Sequence, residues 1–327
     1  MNIEILSHIG KILITIGAIW FFGGKLVDSV SNISRKINQS GFTTALFILG
    51  LLTSVSELSV MINATLSGTP QVSAGNVTGA SLMLFLCIIP LLAIIGKKGI
   101  TMKHTLTRSQ LIISLITISL PSLFLIDGRA TIFEGFLCIV AYAILFTIVK
   151  RSPKPIIEKS KHEIDIITNS KISIPREVGK ILISVVVIFF AGEILVSEAN
   201  NLATLFGVPQ SLIGLLLLSV GTNIPELVVA VRAVTKHHSD IAFGGYIGSA
   251  LTNTLSFGLL IFMNQGFQVP VVQFIITAII FISGLILFYF FAQSKNTLSK
   301  NEGIILFMLY IMFMIIQTLF FFRILNY

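Results

Sequence analysis

Apolar runs of about 20 residues recur from one end of the chain to the other, and they constrain its fold more than any other feature. A run of this length crosses a bilayer core of about 30 Å as an α-helix. The chain is 54% hydrophobic and only 11% charged, as expected for a membrane protein. The sequence predicts an all-α integral membrane protein with ten transmembrane helices, at residues 9–30, 43–65, 72–95, 109–126, 130–149, 178–199, 210–232, 241–263, 270–291 and 302–324.

The distribution of Lys and Arg predicts the orientation of these spans. With the N-terminus outside, all but three of the 22 basic residues fall on the cytoplasmic side, the exceptions being Lys11, Arg129 and Arg323. We therefore expect a multi-pass protein of the cell membrane with both termini outside and a cytoplasmic linker at residues 150–177. This placement also explains the net charge of +8 without nucleic acid as a partner.

The chain contains an internal repeat. When the sequence is shifted by 169 residues, residues 46–82 align without a gap with residues 215–251 and are identical at ten of 37 positions. Identical pairs include Thr53 with Thr222, Glu57 with Glu226, Gly75 with Gly244, and Gly79 with Gly248.

Each copy of the repeat holds five predicted spans, and because five is odd, the second copy enters the membrane from the opposite face. We therefore predict two inverted five-helix repeats, residues 1–149 and 178–327, with the repeated motifs at residues 46–82 and 215–254. Inverted repeats are typical of secondary transporters, whose ion sites lie near the membrane midplane.

Glu57 and Glu226 lie near the centres of the second and seventh spans and bracket this midplane. An ionised carboxylate at that depth costs at least about 2.5 to 3.5 kcal/mol, so it normally faces a partner or a water-filled cavity. Thr53 and Thr222 stand four residues earlier on the same helix faces, where their oxygens can join a carboxylate around a hard cation. The alternatives are a protonated glutamate bonded to the backbone and threonines bonded to their own helices. Recurrence at one repeat register favours a cation site.

Other residues add oxygen atoms to the same region. Pro225 has no N–H, so the carbonyl of Gly221 loses its helical partner. Asn253 lies near the centre of the eighth span, with Ser249 one turn earlier. For both, ordinary hydrogen bonding between helices is the alternative to ion binding.

Four segments carry a family resemblance: LTSVSEL and GNVTGASL in the first repeat, GTNIPEL and YIGSALTN in the second. They resemble the two alpha-repeats of the cation/calcium exchanger superfamily, in particular its prokaryotic sodium/calcium exchanger branch. The resemblance implies a divalent cation held by the two glutamates and by oxygens of the two threonines. It also implies sodium contacts from Ser54 and Ser249. The predicted cation-binding residues are Glu57, Glu226, Thr53, Thr222, Ser54, Asn223, Ser249 and Asn253.

The chain departs from the family pattern at four positions. The family has proline, serine and asparagine where the first repeat has Ser56, Ala80 and Leu84, and serine where the second repeat has Asn223. The departures keep the two-glutamate centre but remove flanking oxygens. Ser56 also leaves the second span without the proline that would break it.

Four other carboxylates carry weaker signals. Glu193, deep in the sixth span, has either a transport or proton-handling role or is a buried, hydrogen-bonded glutamate. Asp28, Glu134 and Glu198 lie near span ends, where we expect them to be solvated.

These observations predict a secondary active antiporter that exchanges Ca2+ for Na+ by alternating access at the two-glutamate site, without a bound cofactor. The alternatives are proton-coupled exchange of Ca2+ or another divalent cation such as Mn2+, a passive channel, and a scaffold that has lost transport. No Walker loop, HExxH motif or Ser/His/Asp pattern is present, so we do not expect an enzyme. The expected partners are the transported cations and membrane lipid; the driving ion, stoichiometry and oligomeric state stay open.

Overall fold

The computed structural model of the protein describes residues 2–37, 41–66, 68, 70–96, 99–101, 106–150, 173–205, 219–235, 239–295 and 297–325. Helices account for most of this part of the chain. They are α1 (Asn2–Lys36), α2 (Gly41–Thr53), α3 (Val55–Leu66), α4 (Pro70–Met83), α5 (Ile89–Ile95), α6 (Arg108–Phe124), α7 (Ile132–Lys150), α8 (Ile174–Leu205), α9 (Ser219–Thr235), α10 (Ser239–Met263), α11 (Val271–Lys295) and α12 (Lys300–Leu325).

Seven helical stretches within the described ranges are long and apolar enough to cross a membrane. They are Ser7–Ser34, Pro70–Ile95, Arg108–Asp127, Ile132–Val149, Ile241–Met263, Val271–Gln293 and Lys300–Leu319. The all-helical membrane fold is therefore confirmed. The other three predicted spans correspond to the interrupted pair α2 and α3, to α8, and to a segment of which residues 210–218 lie outside the described ranges. The total of ten spans, the inverted orientation and the domain boundaries stay predictions, and residues 151–172 of the expected linker also lie outside those ranges.

Two of these stretches form the centre of the molecule. In the most apolar 18-residue windows of Pro70–Ile95 and Ile241–Met263, 78% of the residues are buried, whereas in that of Ile132–Val149 only 22% are. The first comprises α4, a π-helical turn at Leu84–Ile88 and α5, and the second lies within α10. These correspond to the third and eighth predicted spans, which are equivalent positions in the two repeats.

Within the described ranges, four two-residue strands lie in the connections between helices. They are β1 (Ile100–Thr101), β2 (Arg129–Ala130), β3 (Phe267–Gln268) and β4 (Thr297–Leu298). β1 pairs antiparallel with β4, and β2 pairs antiparallel with β3. In the two repeats, the α5–α6 connection, which contains β1, is equivalent to the α10–α11 connection, which contains β3. The α6–α7 connection, which contains β2, is equivalent to the α11–α12 connection, which contains β4. Each strand pair is thus the counterpart of the other, as a two-fold relation between the repeats requires.

Helices α1 and α8 pack against each other and are bonded near both ends. At about 1.5 Å per residue their 35 and 32 residues exceed the thickness of a bilayer core. At one end, Glu198 binds His8 and the ammonium of Lys11, the latter at 2.9 Å. The expectation that Glu198 is solvated was therefore wrong: its partners lie 190 and 187 residues away in sequence, so only the pairing of the two helices brings them together.

At the other end of this helix pair, Glu177 is buried and accepts hydrogen bonds from Lys180 at 2.6 Å and from Asn32 at 3.4 Å. The carboxylate thus joins the first turn of α8 to α1. Asp28 is exposed, as expected, while Glu134 accepts hydrogen bonds from the backbone and hydroxyl of Thr131 and caps α7.

Glycines bring α2 and α10 into backbone contact. A Cβ atom added to Gly248 would overlap the carbonyl oxygen of Leu46, and one added to Gly244 would overlap that of Phe42. A Cβ at Gly50 would overlap the backbone of Gly248. Small residues permit this close approach between membrane helices. The crossing places the C-terminal end of α2 beside the middle of α10.

Candidate cation-binding site

The second predicted span is interrupted at Ser54, between α2 and α3. Two successive hydroxyls bond to carbonyls of the preceding turn: Thr53 donates to Leu49 at 2.8 Å, and Ser54 donates to Gly50 at 2.8 Å. Such bonds compete with the backbone ladder and favour a bend. The interruption therefore forms without the proline that Ser56 replaces. The side chain of Ser56 itself lies outside the described part of the chain.

Glu57 lies in the first turn of α3 and is completely buried. Glu226 lies in α9 and is only 3% exposed. The two carboxyl groups are close enough to interact electrostatically. Neither carboxyl oxygen of Glu226 has a hydrogen-bond partner among the described residues. The repeat thus brings two acidic groups together in the protein interior, where two uncompensated negative charges are strongly unfavourable.

Ser54 and Ser249 form a direct contact between the two repeats. Both are buried, and their hydroxyl oxygens lie 3.0 Å apart. Because Ser54 donates its proton to the carbonyl of Gly50, Ser249 is the donor in this pair. The hydroxyls lie at the interruption of the second span, three residues before Glu57.

Asn253 is also buried, and its amide nitrogen donates to the hydroxyl of Ser81 at 3.2 Å. Its carbonyl oxygen has no hydrogen-bond partner in the described structure. Ser81 was not among the residues predicted for the site. Ser81 follows Ala80, the position at which the family has serine. Its hydroxyl bonds to Asn253 and so contributes an oxygen to the contact between α4 and α10.

Two residues of the predicted set lie on α9 beside Glu226. Asn223 is completely buried. Thr222 lies in the same helix, but its side chain falls outside the described part of the structure, as does that of Pro225. The helix continues through Pro225, which cannot donate a backbone hydrogen bond to Gly221.

A small cavity borders Glu226 and is lined by Thr53 of α2 and by Tyr246 of α10. The rest of its lining is apolar side chains and one glycine. Thr53 and Glu226 were predicted to share the site, and the structure brings them together. Tyr246 was not predicted, although a tyrosine within an apolar helix, in the motif that contains Ser249, was a signal in the sequence.

The departures from the family pattern lie in the same region. Ala80 and Leu84 are both completely buried, so the first repeat presents no side-chain oxygen at either position. Leu84 begins the π-helical turn that joins α4 to α5. Glu193, by contrast, has an exposed side chain, which excludes its interpretation as a buried, hydrogen-bonded glutamate.

The donor set suits a hard cation. No group of three or more His, Cys, Asp or Glu side chains that could hold a metal occurs in the described residues. Two carboxylates would therefore have to share a cation with neutral hydroxyl, amide and carbonyl oxygens. Oxygen-only coordination is what Ca2+ accepts, and it is unsuited to metals that prefer nitrogen or sulfur ligands.

Comparison with known proteins gives the family. The sodium/calcium exchanger protein family matches residues 7–150 and 177–319 of the chain. The putative antiporter CaxA of Alkalimonas amylolytica is 26% identical over 238 residues, covering 71% of this chain and 73% of the relative. The uncharacterized membrane protein MJ0091 of Methanocaldococcus jannaschii is 24% identical over 303 residues, covering 93% and 94%. The sodium/calcium exchanger MaX1 of Methanosarcina acetivorans is 28% identical over 141 residues, covering 43% and 40%.

A solved structure shows the same fold. The sodium-calcium exchanger NCX_Mj, in crystals soaked with Na+ and Sr2+, superimposes with a TM-score of 0.78 at 20% identity, covering 94% of this chain and 98% of that one. The structural likeness shows the shared architecture, and the family match extends over nearly the whole chain. The chain therefore belongs to the sodium/calcium exchanger protein family.

Proposed function

We propose that the protein exchanges Ca2+ for Na+ across the membrane by alternating access at a site centred on Glu57 and Glu226. Membership of the family makes the chain a multi-pass membrane transporter and not an enzyme. The observation that carries the proposal is the burial of two interacting carboxyl groups, one from each repeat. Thr53, Ser54, Ser249 and Asn253 would supply neutral oxygens around them.

Coupling follows from electrostatics. An empty site holds two carboxylates in a medium of low dielectric constant, and their repulsion opposes closure of the site around them. One Ca2+ or two Na+ would neutralise the pair and permit the reorientation that exposes the site to the other side. Because the loaded states cross and the empty state does not, movement of one ion requires the return of the other.

The proposed orientation has both termini outside and the linker inside, from the distribution of Lys and Arg. In this orientation α2 runs outward and α9 runs inward. Inverted repeats would then present equivalent carboxylates to opposite faces of the membrane. The exchange of one strand pair for the other under the repeat relation supports this arrangement.

A second candidate is proton-coupled exchange of Ca2+ or another divalent cation such as Mn2+. The buried apolar side chains of Ala80 and Leu84 favour it, because they remove oxygens that the family pattern uses for Na+. Two protons neutralise two carboxylates as well as two Na+ do. The candidates differ in their response to an imposed gradient of Na+ or of protons.

Uptake of radiolabelled Ca2+ into proteoliposomes tests the proposal. We expect an outward Na+ gradient to drive uptake, and Glu57→Gln and Glu226→Gln each to abolish it. Glu134→Gln is the matched control, because glutamine serves as well as glutamate in a helix capping box.

Each other outcome selects a different function. Uptake driven only by an outward proton gradient would establish the second candidate. Uptake without any counter-ion gradient would indicate a passive channel. No uptake under any gradient, with the variants behaving as the wild type, would indicate a scaffold.

A further inference from the structure

Tyr246 is a buried tyrosine whose hydroxyl makes no hydrogen bond to the described part of the protein. It lies on α10 and is only 3% exposed. Its hydroxyl has no hydrogen-bond partner among the described residues. A buried hydroxyl in this condition is destabilising relative to a phenylalanine of the same shape. The hydroxyl therefore has its hydrogen-bonding capacity available for a bound ion.

The hydroxyl shares its surroundings with Glu226. Both residues line the small cavity that Thr53 also lines, and Tyr246 lies within electrostatic range of Glu226. Neither oxygen of Glu226 has a hydrogen-bond partner in the described structure. The two residues therefore lie beside one small space, and their polar groups do not bond to each other.

Tyr246 also continues a row of oxygen-bearing side chains along α10. Tyr246, Ser249 and Asn253 are spaced by three and four residues, which places them on one face of the helix. Ser249 contacts Ser54 of the first repeat, and Asn253 contacts Ser81. Tyr246 is the member of this row nearest the start of α10, which is the cytoplasmic end in the proposed orientation.

The two repeats differ at this position. The repeat relation pairs Tyr246 with Val77, which is buried in an apolar cluster with Met61 and Phe257. A hydroxyl is thus present on the cytoplasmic side of the site and absent at the equivalent place on the outer side. Any role of this hydroxyl in ion binding would be confined to one side of the membrane.

We propose that Tyr246 contacts the transported cation at the cytoplasmic edge of the site, its hydroxyl oxygen binding the hard cation that Glu226 holds. The inference rests on the proposed function, because it requires Glu226 to bind the cation. It goes beyond that function by adding a ligand that has no counterpart in the first repeat. It also gives the two faces of the transporter different affinities.

The test compares Tyr246→Phe with Tyr310→Phe. Tyr310 is also a buried tyrosine whose hydroxyl has no partner among the described residues, but it lies on α12, stacked on Phe307. Equilibrium binding of radiolabelled Ca2+ to the purified, detergent-solubilised protein measures affinity. We expect Tyr246→Phe to weaken Ca2+ binding by about tenfold, as loss of one contact to a charged group does. Tyr310→Phe should leave it within about twofold of the wild type.

Two further readouts separate ion contact from packing. Without Ca2+, both variants should unfold at or slightly above the wild-type temperature, because each loses a buried hydroxyl without a partner, whereas the stabilisation conferred by Ca2+ should be smaller for Tyr246→Phe. In inside-out membrane vesicles the KM for Ca2+ should rise with kcat unchanged. In right-side-out vesicles the KM at the outer face should not change.

The outcomes are distinguishable. Wild-type affinity in Tyr246→Phe would overturn the role of Tyr246 and leave the proposed function standing. Equal losses in the two variants would also overturn it, because they would show a general effect of removing buried hydroxyls. Failure of the wild-type protein to bind Ca2+, Mn2+ or Na+ would overturn the proposed function and this inference together.

Discussion

The hydroxyl oxygens of Ser54 and Ser249 lie 3.0 Å apart and join the two repeats at the interruption of the second predicted span. Ser54 donates to the carbonyl of Gly50, so the bond between the serines is donated by Ser249. The contact is possible because glycines bring α2 and α10 into backbone contact. Sequence, helix crossing and candidate site are thus connected at one pair of side chains.

Removing either hydroxyl should weaken the dependence of exchange on Na+. We expect Ser54→Ala and Ser249→Ala each to raise the half-saturating Na+ concentration by about three- to tenfold. The double variant should fall short of the product of the single effects, because the two residues act as a pair. Sodium-driven Ca2+ uptake in proteoliposomes measures this.

The control for the serine variants is Ser119→Ala, which removes a buried hydroxyl whose hydrogen bond, among the described residues, stays within α6, to the carbonyl of Ile116. Unchanged Na+ dependence in both site variants would contradict a sodium contact at this pair.

The α2–α10 crossing should not tolerate a side chain at Gly248. A Cβ there would overlap the carbonyl oxygen of Leu46, and backbone atoms cannot move aside as a flexible side chain can. We expect Gly248→Ala to lower stability by at least about 1 to 3 kcal/mol, as overpacking does. Gly75→Ala is the control, because no atom of another described element lies within 4 Å of a Cβ at that position. Thermal unfolding in detergent checks both, and equal melting temperatures would refute the close approach.

The two glutamates of the site were predictable from the sequence because they recur, and the two serines because their segments resemble the family. Glu57 and Glu226 occupy the same repeat register, and the structure buries both within electrostatic range. Ser54 and Ser249 were indicated by the family resemblance, and the structure brings their hydroxyls together. Their roles in ion binding stay predictions.

The features that were missed do not recur. Ser81 corresponds to Ala250 in the second repeat, and Tyr246 corresponds to Val77 in the first, so the internal alignment marks neither as polar. The interruption at Ser54 arises from hydroxyl bonds to carbonyls of the preceding turn. No proline in the sequence indicates this interruption. The burial of Glu198 required knowledge that α1 and α8 pair.

The contact of Glu177 with α1 should depend on pH. Burial alone would raise the pKa of this carboxyl, but hydrogen bonds from Lys180 and Asn32 and the charge of Lys180 outweigh burial and lower the pKa below its ordinary value. A lowered folded-state pKa gives stability that is present above the unfolded-state pKa and is lost as the pH falls through the folded-state value.

We therefore expect Glu177→Gln to lower the melting temperature by a few degrees at pH 7, and the difference from the wild type to shrink as the pH falls below the ordinary glutamate pKa of about 4.3 and to vanish below the lowered folded-state pKa. Thermal unfolding across this range measures the difference. A difference that persists undiminished at low pH would show that the variant acts through packing and not through charge.

Charge counting at the site predicts weak dependence of transport on membrane potential. Two carboxylates balance one Ca2+, two Na+ or two protons, and Asn253 stands where the family has an acid or an amide.

Asn253→Asp adds a third carboxylate beside Ser81, whose hydroxyl can then donate to it. Counter-ions should then carry three positive charges out of the vesicle for each Ca2+ that enters. An inside-positive membrane potential should therefore accelerate Ca2+ uptake by this variant. Asn253→Ala removes the oxygen without adding charge and should lower the rate without introducing potential dependence. Uptake into proteoliposomes with a potassium diffusion potential measures both effects. If wild-type uptake depended on membrane potential as strongly as exchange of three Na+ for one Ca2+ does, the charge balance based on two carboxylates would be wrong. A third positive charge would then have to be bound without a third acidic side chain.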